Sequence, residues 1–162
     1  MSQLPAGVPT NGREAFARIS AVAKPSLDDL KLMVFLEASG QSGYLALAAR
    51  APNPEIRALL EANGREEMAH AHRVTKVIRT LTGEDFPPPA DEANPFVAAS
   101  DRAPDRRQLE MLVAAEDGGG ALYDTWADNI DHPEAARLLR LNADEERRHG
   151  VRAQEALALL PD

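Results

Sequence analysis

One spacing pattern occurs twice in this chain of 162 residues and constrains its fold more than any other feature. In each copy a lone glutamate is followed 30 residues later by a Glu-x-x-His sequence, and the two copies are offset by 79 residues throughout. A separation of three residues places the glutamate and the histidine of a pair on the same face of a helix. The first copy consists of Glu37, Glu67 and His70, and the second of Glu116, Glu146 and His149.

The repeat extends beyond these six positions and indicates an internal duplication. Alignment of 54–73 with 133–152 gives 9 identical residues among 20 without a gap. The chain is therefore interpreted as two copies of one helical hairpin, related by a pseudo-two-fold axis. Further matches at the same offset are Gly40 with Gly119, Tyr44 with Tyr123 and Ala48 with Ala127.

The composition favours an all-α fold, because Ala, Leu, Glu and Arg are abundant and are good helix formers. Asparagine or histidine followed by proline interrupts the pattern near 52–54 and 131–133, and proline suits the first position of a new helix. Residues 1–25 are expected to form an N-terminal arm with a short helix over 11–22, packed through Phe16 and Ile19. Four long helices are predicted over 27–50, 54–81, 105–130 and 133–160.

The lengths of the connections predict how these helices are arranged. Short turns make consecutive helices antiparallel neighbours. The proline-rich segment 83–104 is long enough to cross the length of a bundle, so that the third long helix starts at the same end as the second. Residues 26–162 are therefore expected to form one four-helix bundle of two duplicated antiparallel hairpins joined by a long crossover.

The two copies of the pattern also predict a metal site. Each lone glutamate and its Glu-x-x-His pair lie at similar distances from the turn of their hairpin, so packing the hairpins together brings four carboxylates and two imidazoles to one level. Buried carboxylates are costly unless they are compensated, and two divalent cations would compensate them. This donor set is typical of di-iron and di-manganese sites in four-helix bundles, and it does not distinguish iron from manganese or a mixed pair.

Composition excludes several other functions. The absence of cysteine excludes disulfides, thiolate catalysis and cysteine-based metal sites. The net charge of −8 disfavours nucleic acid as a partner. There is no apolar run long enough for a membrane span, no secretory signal is apparent, and no haem or flavin motif is evident. The protein is therefore expected to be cytoplasmic.

At this point the chain resembles the rubrerythrin and ferritin-like di-iron family over about residues 27–160. The pattern that carries the resemblance is a glutamate, a tyrosine seven residues later, Pro-Glu, and then Glu-Glu-x-x-His, and it occurs in both halves. The resemblance implies a ferritin-like bundle that oxidises Fe(II) with O₂ or H₂O₂, in connection with oxidative stress, and it implies a homodimer. It also implies that Glu37 and His70 bind one iron, that Glu116 and His149 bind the other, and that Glu67 and Glu146 bridge the two.

The chain departs from rubrerythrin in two respects. It lacks the cysteines of a rubredoxin domain, so any electron donor must be a separate molecule. The additional glutamate of the rubrerythrin site is replaced by Gly119, with Gly40 as its counterpart in the first copy. The pattern is therefore closer to the symmetric centres of bacterioferritin-like proteins.

Several repeated residues are candidates for supporting roles around the metals. Tyr44 and Tyr123 are predicted to donate a hydrogen bond to a carboxylate of the opposite hairpin or to quench oxidising equivalents, and the alternative is a purely structural aromatic residue. Other candidates are Glu66 and Glu145 as partners of the distal histidine nitrogens, Arg73 and Arg152 as partners of those glutamates, and Gly40 and Gly119 as space for the oxidant or as helix contacts.

The sequence leaves several alternative functions open. The same six residues suit a peroxide reductase with an external electron donor. They also suit an iron-sequestering protein that assembles into a cage, or a partner-binding bundle with a vestigial site. An oxygenase that acts on an organic molecule is a further alternative, although no substrate pocket is identifiable from the sequence.

Overall fold

The computed structural model describes residues 2–98 and 102–160, and within them the fold is all-helical. These residues form five α-helices and no β-strand, which confirms the predicted all-α class. A 3₁₀ turn at Asp91–Ala93 lies in the connection between the third and fourth helices. The helices are α1 (Gly12–Ser20), α2 (Leu27–Ala48), α3 (Pro54–Thr82), α4 (Arg106–Asn129) and α5 (Pro133–Ala158).

Side-chain caps explain where the long helices begin. The Ser26 hydroxyl accepts a hydrogen bond from the Asp29 amide, and the Asp29 carboxylate accepts one from the Ser26 amide, which together form a capping box. Asn53 and Asp105 cap α3 and α4 in the same general way. His132 caps α5 through its Nδ1 atom, so this histidine has a local structural role.

The contacts between the helices define their directions. Gly40 lies against Glu67 and Gly64 against Tyr44, so α2 and α3 are antiparallel. Gly119 lies against Glu146 and Gly150 against Glu116, so α4 and α5 are antiparallel too.

The two hairpins pack on each other through α3 and α5, which are antiparallel. Side-chain amides link Asn63 of α3 to the carbonyl of His149, and Asn142 of α5 to the carbonyl of His70. α3 and α4 both run opposite to α5, so they run parallel to each other. The segment between them is attached to α2, where the Asn94 side chain donates to the carbonyl of Phe35.

α1 packs on α2 and is a part of the folded structure. Ala15 and Ile19 are fully buried, and the Trp126 indole of α4 donates to the carbonyl of Val22 just after α1. The helix lies within the predicted range of 11–22, and Ile19 faces the core as expected. Phe16 was expected to pack there as well, but it is 43% exposed, because its ring lies at the edge of a cavity described below. None of the described helices is long and apolar enough to cross a membrane.

The capping box of α2 gives a test of what joins α1 to the bundle. Asp29 accepts hydrogen bonds from Ser26 and from the Arg18 guanidinium of α1. Burial by itself raises the pKa of the Asp29 carboxyl, but these hydrogen bonds outweigh it and hold the pKa below its ordinary value. The ionised form therefore stabilises the fold above the unfolded pKa of about 3.9, and this stabilisation is lost as pH falls through the lower folded pKa.

We expect Asp29→Asn to lower the free energy of unfolding at neutral pH by about 1 kcal/mol, the usual size of a cap contribution. Arg18 is partly exposed, so its ion pair adds little to this figure. The difference from the unmutated chain should shrink as pH falls below about 3 to 4. Urea unfolding at several pH values measures it, and Asp28→Asn, at an exposed position one residue earlier, is the matched control. An equal effect of the two substitutions would contradict the assignment.

Candidate metal centre

The six residues predicted from the repeat come together inside the bundle. Each of the four long helices contributes one glutamate, and α3 and α5 also contribute one histidine each. The two histidine side chains are fully buried, and no member of the set is more than 6% exposed. The residues are Glu37 on α2, Glu67 and His70 on α3, Glu116 on α4, and Glu146 and His149 on α5.

The centre of the cluster is formed by the two Glu-x-x-His pairs. One ligand atom from each of Glu67, His70, Glu146 and His149 can be chosen so that all four lie within 4.8 Å of one another. The two imidazole rings are stacked, with centroids 5.0 Å apart and planes 18° from parallel. Four groups that can bind a cation are thus in mutual reach without any rearrangement of the backbone.

The carboxylates of Glu67 and Glu146 lie between the two histidines. Glu67 Oε1 is 3.1 Å from His149 Nδ1, and its Oε2 is 4.0 Å from His70 Nδ1. Glu146 Oε1 is 3.3 Å from His70 Nδ1, and its Oε2 is 3.6 Å from His149 Nδ1. Each of these glutamates therefore directs its two oxygens towards different histidines.

The lone glutamates complete the cluster at its two sides. Glu37 Oε2 lies 3.4 Å from His70 Nδ1, and Glu116 Oε2 lies 3.4 Å from His149 Nδ1. Each lone glutamate thus pairs with the histidine of its own hairpin. All six predicted residues are brought together, and their role as ligands stays a prediction.

The two histidine Nδ1 atoms are the buried side-chain polar atoms that lack a hydrogen-bond partner within the described residues. Burial by itself lowers the pKa of His70, but Glu146 and Glu37 reverse this and raise it to about 10. Burial acts on His149 in the same direction, and Glu116, Glu146 and Glu67 raise its pKa to about 12. Each Nδ1 atom therefore faces carboxylate oxygens that attract a cation at this position, either a proton or a metal ion.

The distal nitrogens of the histidines are held by the opposite hairpin. His70 Nε2 is 3.1 Å from Glu145, and His149 Nε2 is 3.0 Å from Glu66. The Arg152 guanidinium lowers the pKa of Glu66 to about 2, so this carboxylate remains an acceptor. An N–H at Nε2 leaves the Nδ1 lone pair available to a metal ion, which is the usual support for a histidine ligand.

Two arginines and two asparagines hold the glutamates and histidines of these contacts in place. Arg73 donates two hydrogen bonds to Glu145, at 2.6 and 2.8 Å. Arg152 makes the equivalent pair to Glu66, at 2.9 and 3.1 Å. The sequence alone predicted no role for the asparagines, although they match at the repeat offset. Asn63 and Asn142 are fully buried, and each accepts from one of these arginines and donates to the carbonyl of a histidine of the opposite hairpin.

The two tyrosines hold the lone glutamates. The Tyr44 hydroxyl donates to Glu116, and the Tyr123 hydroxyl donates to Glu37. Both contacts join opposite hairpins, which is one of the roles predicted for these tyrosines from the sequence. Burial, reinforced by the neighbouring carboxylates, raises the pKa of both hydroxyls well above the ordinary value, so both remain protonated donors. A role in quenching oxidising equivalents stays a prediction.

The repeated glycines make room for the carboxylates. A Cβ atom at Gly40 would lie 2.7 Å from Glu67 Oε2, and one at Gly119 would lie 3.3 Å from the Glu146 carboxyl carbon. A Cβ at Gly43 or Gly118 would meet nothing within 4 Å. The space beside Gly40 and Gly119 is therefore occupied by the two central glutamates.

We expect Gly40→Ala to impair metal binding by displacing the Glu67 carboxylate, and Gly43→Ala to leave metal binding intact. Both positions lie in α2, so both substitutions remove the same helix-propensity penalty of glycine, which is about 1 kcal/mol. Gly43→Ala should therefore raise the free energy of unfolding, while Gly40→Ala should raise it less or lower it. Zinc titration and urea unfolding of the two variants measure these effects. Equal zinc affinity in both would show that Gly40 is not required by the cluster.

Comparison with protein-family models, with curated proteins and with solved structures finds no match to this chain. Any function must therefore be inferred from the chemistry of the site itself.

Proposed function

We propose that this chain is a ferritin-like four-helix-bundle protein that binds two iron ions and oxidises Fe(II) with O₂ or H₂O₂. The observation that carries the proposal is the pair of buried, unpartnered histidine Nδ1 atoms facing four carboxylates. A cluster of this kind without a cation leaves like charges close together in a poorly solvated interior, which is costly. Four carboxylates and two divalent cations have no net charge together, so a metal pair removes this cost.

The distances support a distinct place for each residue around the metals. Glu37 and His70 would bind one ion, and Glu116 with His149 would bind the other, because each of these pairs lies 3.4 Å apart. Glu67 and Glu146 would bridge, because each presents one oxygen to each histidine. Oxygen and imidazole donors suit iron and manganese alike, so the choice of iron rests on the resemblance and is open to direct measurement.

The remaining residues would keep the site in the geometry that the reaction needs. When bound, two Fe(II) ions supply the two electrons that reduce one H₂O₂ to water. Tyr44 and Tyr123 hold the outer carboxylates in place and remain protonated. Glu66 and Glu145 fix the histidine rings with their Nδ1 atoms directed inward. These 162 residues contain no cysteine, so they provide no cysteine-bound iron centre that would return the site to Fe(II).

An anaerobic Fe(II) titration of the metal-free protein tests the proposal. We expect two iron ions per chain in the unmutated protein and loss of tight binding in Glu67→Gln/Glu146→Gln, because that variant lacks both bridging carboxylates. The matched control is Glu55→Gln/Glu134→Gln, which changes two exposed glutamates on the same helices at the same repeat offset. Calorimetry measures the stoichiometry. Failure of the unmutated chain to bind iron would refute the proposal and leave manganese, zinc or a vestigial site.

The reaction of the iron-loaded protein then shows which of the two oxidants it uses. Separate anaerobic samples of the loaded protein receive either O₂ or deoxygenated H₂O₂. Absorbance follows the formation of Fe(III) in each. Ferroxidase chemistry with peroxide predicts two Fe(II) consumed per H₂O₂, and turnover beyond this ratio with an added reductant would favour the peroxide-reductase alternative. The homodimer also stays a proposal, and light scattering distinguishes it from a storage cage.

A further inference from the structure

A cavity of about 240 Å³ lies beside the carboxylates, between α2, α4 and α1. All four glutamates of the cluster line it, whereas the two histidines do not. Its other walls are mostly apolar and include Phe16 and Ile19 of α1, Met33 and Leu36 of α2, and Ala115 and Leu122 of α4. Phe16 and Ala115 are exposed, so the rim of the cavity reaches the solvent.

The opposite side of the cluster is covered by charged side chains. There the arginine–glutamate–histidine networks fill the contact between α3 and α5. The cavity between α2 and α4 therefore offers a molecule a route to the carboxylates. The cavity is also far larger than O₂ or H₂O₂ requires, because a water-sized molecule occupies about 30 Å³ and an engineered cavity of about 150 Å³ binds benzene.

The polar floor of the cavity consists of four carboxyl groups, whose oxygens can accept hydrogen bonds. Among the described residues that line it, none is Lys, Arg or His. The Tyr123 hydroxyl already donates to Glu37, and the Ser39 hydroxyl already donates to the carbonyl of Leu36. The lining therefore offers an anion no cationic side chain, and the hydrogen-bonding atoms left free in it are carboxyl oxygens.

We propose that this cavity binds a small neutral organic molecule with an apolar body of about one aromatic ring and a hydroxyl donor at one end, that is, a molecule of the phenol class. The apolar body would contact the walls formed by α1, α2 and α4, and the hydroxyl would donate to the carboxylate floor. The proposal that the molecule binds depends on the cavity alone. A role for this molecule as a second substrate beside the metals rests on the function proposed above.

Three probes of the same shape test the ligand class on the metal-free protein. They are 4-propylphenol, propylbenzene and 4-propylbenzoate, and nuclear magnetic resonance titration measures their affinities. We expect one 4-propylphenol per chain, with the other two binding about tenfold more weakly or not at all, a difference of about 1.4 kcal/mol. Equal binding of propylbenzene would refute the donor requirement, and equal binding of 4-propylbenzoate would refute the neutral class.

Two substitutions locate the site, one in each of the facing helices. Ala115→Phe and Leu36→Trp should each fill the cavity and weaken 4-propylphenol binding about tenfold or more. Ala114→Phe, at an exposed neighbouring position outside the lining, should not change it. Far-UV circular dichroism and a cooperative urea transition show that a variant is folded, and the second substitution keeps the test decisive if one variant does not fold. Unchanged binding in both folded variants would overturn the proposal.

Titration of zinc-loaded protein with the phenol tests the cavity proposal separately from the proposed di-metal function. Zinc has no redox chemistry, so phenol binding to the loaded chain is read without turnover. If two metal ions bind but no phenol does, only the cavity assignment fails. If the phenol binds but no metal does, the proposed di-metal function fails and the cavity assignment stands.

Discussion

The close approach of four buried carboxylates to two histidine Nδ1 atoms is the interaction on which the rest of this structure depends. Without a cation the carboxylates repel one another in a buried site that water screens poorly, and a proton or a metal ion at each Nδ1 position relieves this repulsion. Other features near the centre follow from it. The glycine at position 40 leaves room for Glu67, and the arginines hold Glu66 and Glu145 so that they can orient the rings.

The supporting hydrogen bonds are exchanged between the hairpins, which explains how one repeated sequence builds a single site. Tyr44 of the first hairpin holds Glu116 of the second, while Tyr123 holds Glu37. The asparagines and arginines follow the same rule. These tyrosines, asparagines and arginines find their partners in the opposite hairpin, so the hairpins must pack in one register, and sliding by one helical turn would leave these groups unpaired. Such buried polar networks favour a unique arrangement when every member is satisfied.

The repeat explains which features could be predicted from the sequence. The offset of 79 residues identified the six clustered residues, because two copies of an otherwise common Glu-x-x-His pair support each other. Caps and prolines placed the helix ends to within a few residues. The role of Asn63 could not be predicted, and the sequence did not decide between the two roles predicted for Gly40, of which the structure shows the helix contact, with Glu67. Both depend on how far each helix rotates about its axis when it packs, which sequence spacing does not specify. The exposure of Phe16 was missed for a related reason, since α1 has no second copy for comparison.

The departures from the repeat determine how the site differs from a symmetric one. Residues 91–98 correspond to most of α1 but contain only a 3₁₀ turn, so the apolar wall formed by Phe16 and Ile19 exists on one side alone. The counterpart of Leu122 in the first copy is Gly43, which leaves open space. Tyr123 lines the cavity, whereas Tyr44 is not part of its lining. The six clustered residues are therefore nearly equivalent in pairs, but the walls of the cavity are not, and a molecule within it would meet the two halves of the cluster unequally.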